Sequence, residues 1–169
     1  MDSSKDRPPE DGKVVRRVHA DDRRTLPFSV SEVFNAILDF QHYPKWWPKQ
    51  LRIRVLRTTT DFLGSQIEVR PMGGHFTCEV VGIEQNQSIQ IAYVDGLHRG
   101  TGMWSFEAVG DETAVSYRID LEPQGWLPRL LSHVMDFGRI HSNEMQQVFD
   151  GMETWLKRQR SGSASLSEG

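Results

Sequence analysis

From Leu51 to Glu122 the chain alternates apolar and polar residues in runs of six to ten or so. "LRIRVLR", "SQIEVRPM", "HFTCEVVGIE", "SIQIAYV", "TGMWSFEAV" and "TAVSYRIDLE" each read as a strand with one buried face. The breaks between them, Gly73-Gly74, "QNQS", "DGLHRGTG" and "GDET", are turn sequences. They are too short for parallel crossovers, so the strands are expected to pair as antiparallel hairpins. Upstream, Lys13 to Leu26 predicts a further strand ending near Pro27, which makes seven. After Pro123 the period lengthens to that of a helix. Leu127, Leu131, Val134, Gly138, His141, Met145, Val148, Met152 and Trp155/Leu156 form one apolar stripe. The stripe predicts a single long helix of roughly 50 Å, with Gly138 as a candidate kink.

Between the first strand and the rest lies "FSVSEVFNAILDFQHYPKWWP". Ser29 and Glu32 have the spacing of a capping box, and Phe28 and Val33 that of its hydrophobic staple. A short helix should therefore start there and carry Val33, Phe34, Ile37 and Leu38 on one face. It should stop near Asp39, and Pro44 can open a second short helical turn, where its missing N–H costs nothing. The elbow that results concentrates Tyr43, Trp46 and Trp47 in a few residues.

Seven strands with one apolar face need a cover, and the long helix is what the sequence offers. A twisted sheet curls around its cover. A helix about 10 Å across cannot fill a broad concave sheet, so a hollow is expected between them. The elbow is placed to close one mouth of that hollow, either as an aromatic plug or as a gate that faces a ligand. Alternation nominates the inward residues: Ile67 and Val69; Val81 and Ile83; Ile89, Ile91 and Tyr93; Gly100, Gly102, Trp104 and Phe106; Tyr117, Ile119 and Leu121. The helix adds Val134, Gly138, His141, Met145, Val148 and Met152. Turning Val81 inward carries His75, Thr77 and Glu79 to the same face. Gly138 would then make room for Trp104 or for a ligand ring.

His141 and Glu79 thus become the candidates for acid/base or anchoring work in an apolar chamber, because a buried ionisable group must find a partner, a water or a ligand. The plain alternative is that each is a satisfied core or rim residue, with His75, beside a Gly-Gly turn, a simple surface residue. None of the six histidines pairs at metal-ligand spacing, and neither a nucleophile elbow nor a phosphate loop occurs. No metal or other cofactor is expected.

Composition narrows the rest. With 169 residues, 37% hydrophobic and 25% charged, the chain suits one water-soluble domain. A net charge of −3 gives no basic footprint for nucleic acid. The single cysteine, Cys78, excludes an internal disulfide. No apolar run reaches the length of a membrane span, and the polar N-terminus has no signal-peptide core, so a cytoplasmic protein is expected. Residues 1–12 and 161–169 read as polar tails around a domain spanning 13–160.

The order of elements, the "VFNAILDFQHYPKWWP" elbow, the Gly-Thr-Gly-x-Trp-x-Phe strand at Gly100–Phe106 and the "ETAVSYRIDLEP" strand together resemble the SRPBCC (START-like) superfamily, and within it the polyketide cyclase/dehydrase-like group. The resemblance implies an α+β helix-grip fold: a seven-stranded curved antiparallel sheet around a long C-terminal helix, with two short helices after the first strand. It also implies a deep cavity for a hydrophobic small molecule. It does not imply a reaction, because such proteins include carriers, lipid and hormone binders, cyclases, oxygenase domains and chaperone activators. The leading expectation is a monomer or weak homodimer that binds a lipid, isoprenoid or polyketide-like compound. Alternatives are a cyclase/dehydrase using His141 and Glu79, with Tyr93 or Tyr117 as donor, and a protein-interaction module that uses its exposed sheet face.

Overall fold

The structure, a computed structural model, describes residues 17–71, 74–125 and 136–166. The seven expected strands form one antiparallel sheet: β1 (Val18–Leu26), β2 (Ile53–Arg57), β3 (Gln66–Val69), β4 (Phe76–Glu84), β5 (Ser88–Gly96), β6 (His98–Val109) and β7 (Glu112–Pro123). Their spatial order is β1-β7-β6-β5-β4-β3-β2. Six strands follow one another as a meander of hairpins, and β1 pairs beside β7 with Asp22 opposite Tyr117. This is the helix-grip architecture that the resemblance implied.

The two short helices are α1 (Val30–Leu38) and α2 (Tyr43–Trp46). The capping box forms as read: the Ser29 N–H donates to Glu32 Oε2 at 2.8 Å, while Ser29 Oγ accepts from the Glu32 N–H. Both staple residues, Phe28 and Val33, are buried. Pro44 opens α2.

The long helix α3 is described over Phe137–Leu166, about 45 Å at 1.5 Å per residue. It continues beyond Arg160, where the sequence placed the start of a tail, and Gly138 falls in its first turn. The proposed start of the stripe, Leu127 to Val134, lies outside the described residues, as do residues 1–12.

One face of α3 presents Met145, Val148, Phe149, Met152 and Leu156 to the sheet, all buried. At this end the interior is solid: Phe34 packs edge-on against Phe106 at 5.3 Å, and Phe149 against Trp104 at 6.2 Å. The elbow is pressed onto the same helix. A Cβ at Gly151 would run into the backbone oxygen of Trp46. His42 stacks on Trp155 at 5.4 Å, and the Lys45 ammonium sits over the same ring. On β1, Arg24 reaches across to Asp150 at 2.8 Å and Gln146 at 2.9 Å. At the far end Arg160 lies over the Phe28 ring and donates to the Glu32 carboxylate and the Pro27 carbonyl, fastening α3 to the start of α1.

Candidate functional site

Away from that packed end, sheet and helix part around a cavity walled by the elbow, β3 to β7 and the first turns of α3. It offers about 60 Å³ of room for the centres of water molecules, within some 700 Å³ of atom-free space that runs out to an open mouth. A single water needs roughly 10–15 Å³ of such room. The closed space therefore matches a compact, ring-sized guest, which is narrower than the deep cavity expected.

Nominated residues make up much of the cavity wall. Tyr43, Trp47, Ile67, Val69, Ile91, Tyr93, Trp104, Tyr117, His141 and Met145 all line the cavity. Tyr43 stacks on Trp47 at 4.8 Å and donates its hydroxyl proton to the Ile37 carbonyl, which holds the aromatic wall upright. The elbow therefore combines two roles: Tyr43 and Trp47 face the cavity, while Trp46 is buried outside it, and its backbone carbonyl is the group packed on Gly151. Phe106 and Ile119 are also inward and buried, but they sit in the solid core rather than on the cavity wall.

On β4 the expected face is inverted. Phe76, Cys78 and Val80 line the cavity, whereas Val81 is 48% exposed and lies on the outer face. The cause is a bulge. Val80 pairs with Ile91, yet the next pair is Gly82 with Gln90, so one extra residue shifts the alternation. Extending the pattern backward from Ile83 through this bulge put Glu79 on the wrong side. Glu79 accepts from Gln66 Nε2 at 2.5 Å and lies 3.7 Å from Arg57, and it is absent from the cavity wall. His75 is exposed and lies 3.4 Å from Asp95. Gly138 also serves another purpose. A Cβ there would come within 2.9 Å of the His19 carbonyl, so the glycine lets α3 approach β1 rather than admitting a ligand ring. Val134 lies outside the described residues.

The cavity's polar groups come mainly from its floor. The Tyr93 and Tyr117 hydroxyls are 3.0 Å apart, and the Cys78 thiol lines the same part of the wall. Gly102 makes this arrangement possible, since a Cβ there would collide with the Tyr117 hydroxyl. Burial pushes the Cys78 thiol up to about 12 and raises both tyrosines above their ordinary range. All three groups keep their protons at neutral pH.

His141 forms the opposite wall. Its ring stacks on Tyr117 with centroids 5.8 Å apart, and its Nδ1 faces Asp22 Oδ2 at 3.4 Å. Neither of those two buried atoms completes a hydrogen bond. Glu144, one turn further along α3, also lines the cavity, and burial raises its carboxyl above the usual range. His98 lies close enough to His141 to be influenced by it; burial first, then that neighbour, lowers its affinity for a proton. Sequence reasoning missed Asp22, Glu144, Cys78 and His98. Two of them carried a signal: Asp22 shares the inward period of Val18 and Leu26 on β1, and Glu144 stands one helical turn from His141. No group of three metal-ligating side chains occurs among the described residues. No described helix is long and apolar enough to cross a membrane.

A family model described as polyketide cyclase / dehydrase and lipid transport matches residues 26–146, which include the elbow, the cavity strands and His141. The chain belongs to that family. Solved structures share the fold of this chain at low identity. A START superfamily protein from Mycobacterium smegmatis is 18% identical, with a TM-score of 0.65 over 83% of this chain and 97% of that one. The Zhui aromatase/cyclase from Streptomyces sp. R1128 is 10% identical, with a TM-score of 0.67 over 85% and 95%. A norcoclaurine synthase point mutant from Thalictrum is 7% identical, with a TM-score of 0.64 over 86% and 97%. At such identities these likenesses speak to the fold alone. No curated protein matches the chain.

Proposed function

We propose that the protein binds a hydrophobic or amphipathic small molecule in the space between sheet and helix, as a carrier or sequestering protein. One observation carries this reading: a mostly apolar cavity opens to solvent at one end and holds a buried cluster of Tyr93, Tyr117 and Cys78 on its floor. Apolar walls with a few placed polar groups are the general form of a small-molecule site. A compact isoprenoid or a polyketide-like ring fits the closed space. A long acyl chain requires the elbow or the β5–β6 hairpin to move outward. The lone buried thiol suits a reducing compartment, and we assign the protein to the cytoplasm as a monomer or weak homodimer. Extraction of purified protein followed by mass spectrometry tests the reading: a co-purifying organic molecule at near-stoichiometric ratio supports it. Solvent alone, together with no binding of any neutral apolar probe, returns the protein to the class of interaction modules.

A second reading, an enzyme of the cyclase/dehydrase type, is favoured by one feature, the Asp22 carboxylate beside His141 at the cavity wall. In such a reaction His141 would take the proton from a carbon next to a ligand carbonyl. The freed C–H electrons would form a new C=C bond, and a hydroxyl on the neighbouring carbon would leave, carrying that proton away as water. Tyr117 would hydrogen-bond the carbonyl oxygen. A bell-shaped pH–rate profile abolished by His141→Ala supports this reading, and a rate insensitive to that change removes it.

A further inference from the structure

The charge and proton inventory of the cavity restricts what it can hold, and this restriction rests on the ligand-binding reading above. Among the described residues no lysine or arginine lines the wall. The one basic side chain there is His141, and its Nδ1 is turned toward Asp22. The other ionisable wall group besides the protonated thiol and phenols is Glu144, a carboxyl. An organic anion entering this space would lose its hydration, meet no lysine or arginine and face the Glu144 carboxyl.

Hydrogen-bond donors, by contrast, are in excess. Tyr93 and Tyr117 form a short chain of two hydroxyls with two protons and one link between them. Whichever way the chain is oriented, one proton is left at its end with no partner within the chain. The Trp47 ring stands on the wall, and its indole N–H, which can only donate, is buried without a protein acceptor. A buried donor left unmatched is costly, so a ligand that accepts from it gains over one that does not.

We propose that the cavity selects neutral molecules bearing a hydrogen-bond acceptor, such as a ketone, ether or hydroxyl on an apolar ring, and rejects carboxylates of the same shape. Discrimination of this kind comes from what a site withholds as much as from what it supplies.

Acetophenone, benzoate and ethylbenzene test this, because they share size and outline and differ in charge and in the acceptor. Their affinities for the full chain can be read at neutral pH by NMR titration. Acetophenone is expected to bind at least tenfold more tightly than benzoate and severalfold more tightly than ethylbenzene. Tyr117→Phe should erase the second preference. Tyr93→Phe, which shortens the same chain, provides an independent variant should the first unfold, and a thermal melt reports that. Glu144→Gln should narrow the gap between acetophenone and benzoate. Benzoate binding as well as or better than acetophenone overturns the proposal while leaving the cavity reading intact. Equal binding of acetophenone and ethylbenzene overturns its donor half. Failure of all three to bind overturns the proposal together with the cavity reading.

Discussion

The two ends of the interior are built on opposite principles. Where α3 meets α1 and the elbow, Phe34, Phe149 and Met152 are fully enclosed and a glycine lets backbone touch backbone. Where α3 begins, Tyr93, Tyr117, Cys78 and His141 surround open space, and Asp22 and His141 keep buried atoms without a completed hydrogen bond. Native interiors are otherwise close-packed and satisfied. The solid end supplies stability that the hollow end forgoes, and at the hollow end polar groups stand beside space that a guest can occupy.

The comparison is broken most severely at the solid end. Phe149→Ala should cost about 3–5 kcal/mol, read as a lowered denaturation midpoint, because its neighbours cannot collapse into the gap. Gly151→Ala should cost less, a net loss of about 1–2 kcal/mol. Alanine gains about 1 kcal/mol in helix propensity, but the clash falls on the rigid Trp46 carbonyl and overpacking outweighs the gain.

At the hollow end His141→Leu should leave the fold intact, as judged by circular dichroism. It should lower stability by only about 1–2 kcal/mol, since Asp22 loses the polar group facing it, and weaken binding of a polar-headed ligand. Unchanged ligand affinity would separate His141 from the site.

The smallest effect lies outside both ends, at Glu32. The Arg160 guanidinium, and then its bonds to Ser29, hold this carboxyl down to about 2. Its contribution is therefore present in full above the ordinary carboxylate range near 4.5 and is lost as pH falls toward about 2. The side chain is 37% exposed and screened by solvent, so Glu32→Gln should cost less than about 1 kcal/mol at neutral pH. Denaturation curves of the two proteins should converge as the solution is acidified.

Most of the fold was legible because its signals were local. The capping box at Ser29 and Glu32, Pro44 at the elbow and the turn residues between strands each act within a few positions. The helix stripe was legible for the same reason. Strands β3 and β5 to β7 keep strict alternation, so their inward residues followed. Strand β4 does not; the isolated Gly82 is the one local sign of a bulge in "FTCEVVGIE", and the shift of face it causes is a property of the pairing with β5. Glu79 was lost and Cys78 overlooked on that account. Gly138 was misread for a related reason: what a glycine makes room for depends on a partner distant in sequence, here the His19 carbonyl. The pairing of Asp22 with His141 rests on the register of β1 against β7, which joins residues far apart in the chain.

The fastening of Arg160 onto Pro27, Phe28 and Glu32 sets a practical boundary for shortening the protein from its carboxyl end. Cuts placed after this guanidinium leave that fastening intact and should be borne with little loss. A cut one residue earlier severs the clasp between the last turns of α3 and the first helix, and thermal robustness should drop in a single step rather than gradually.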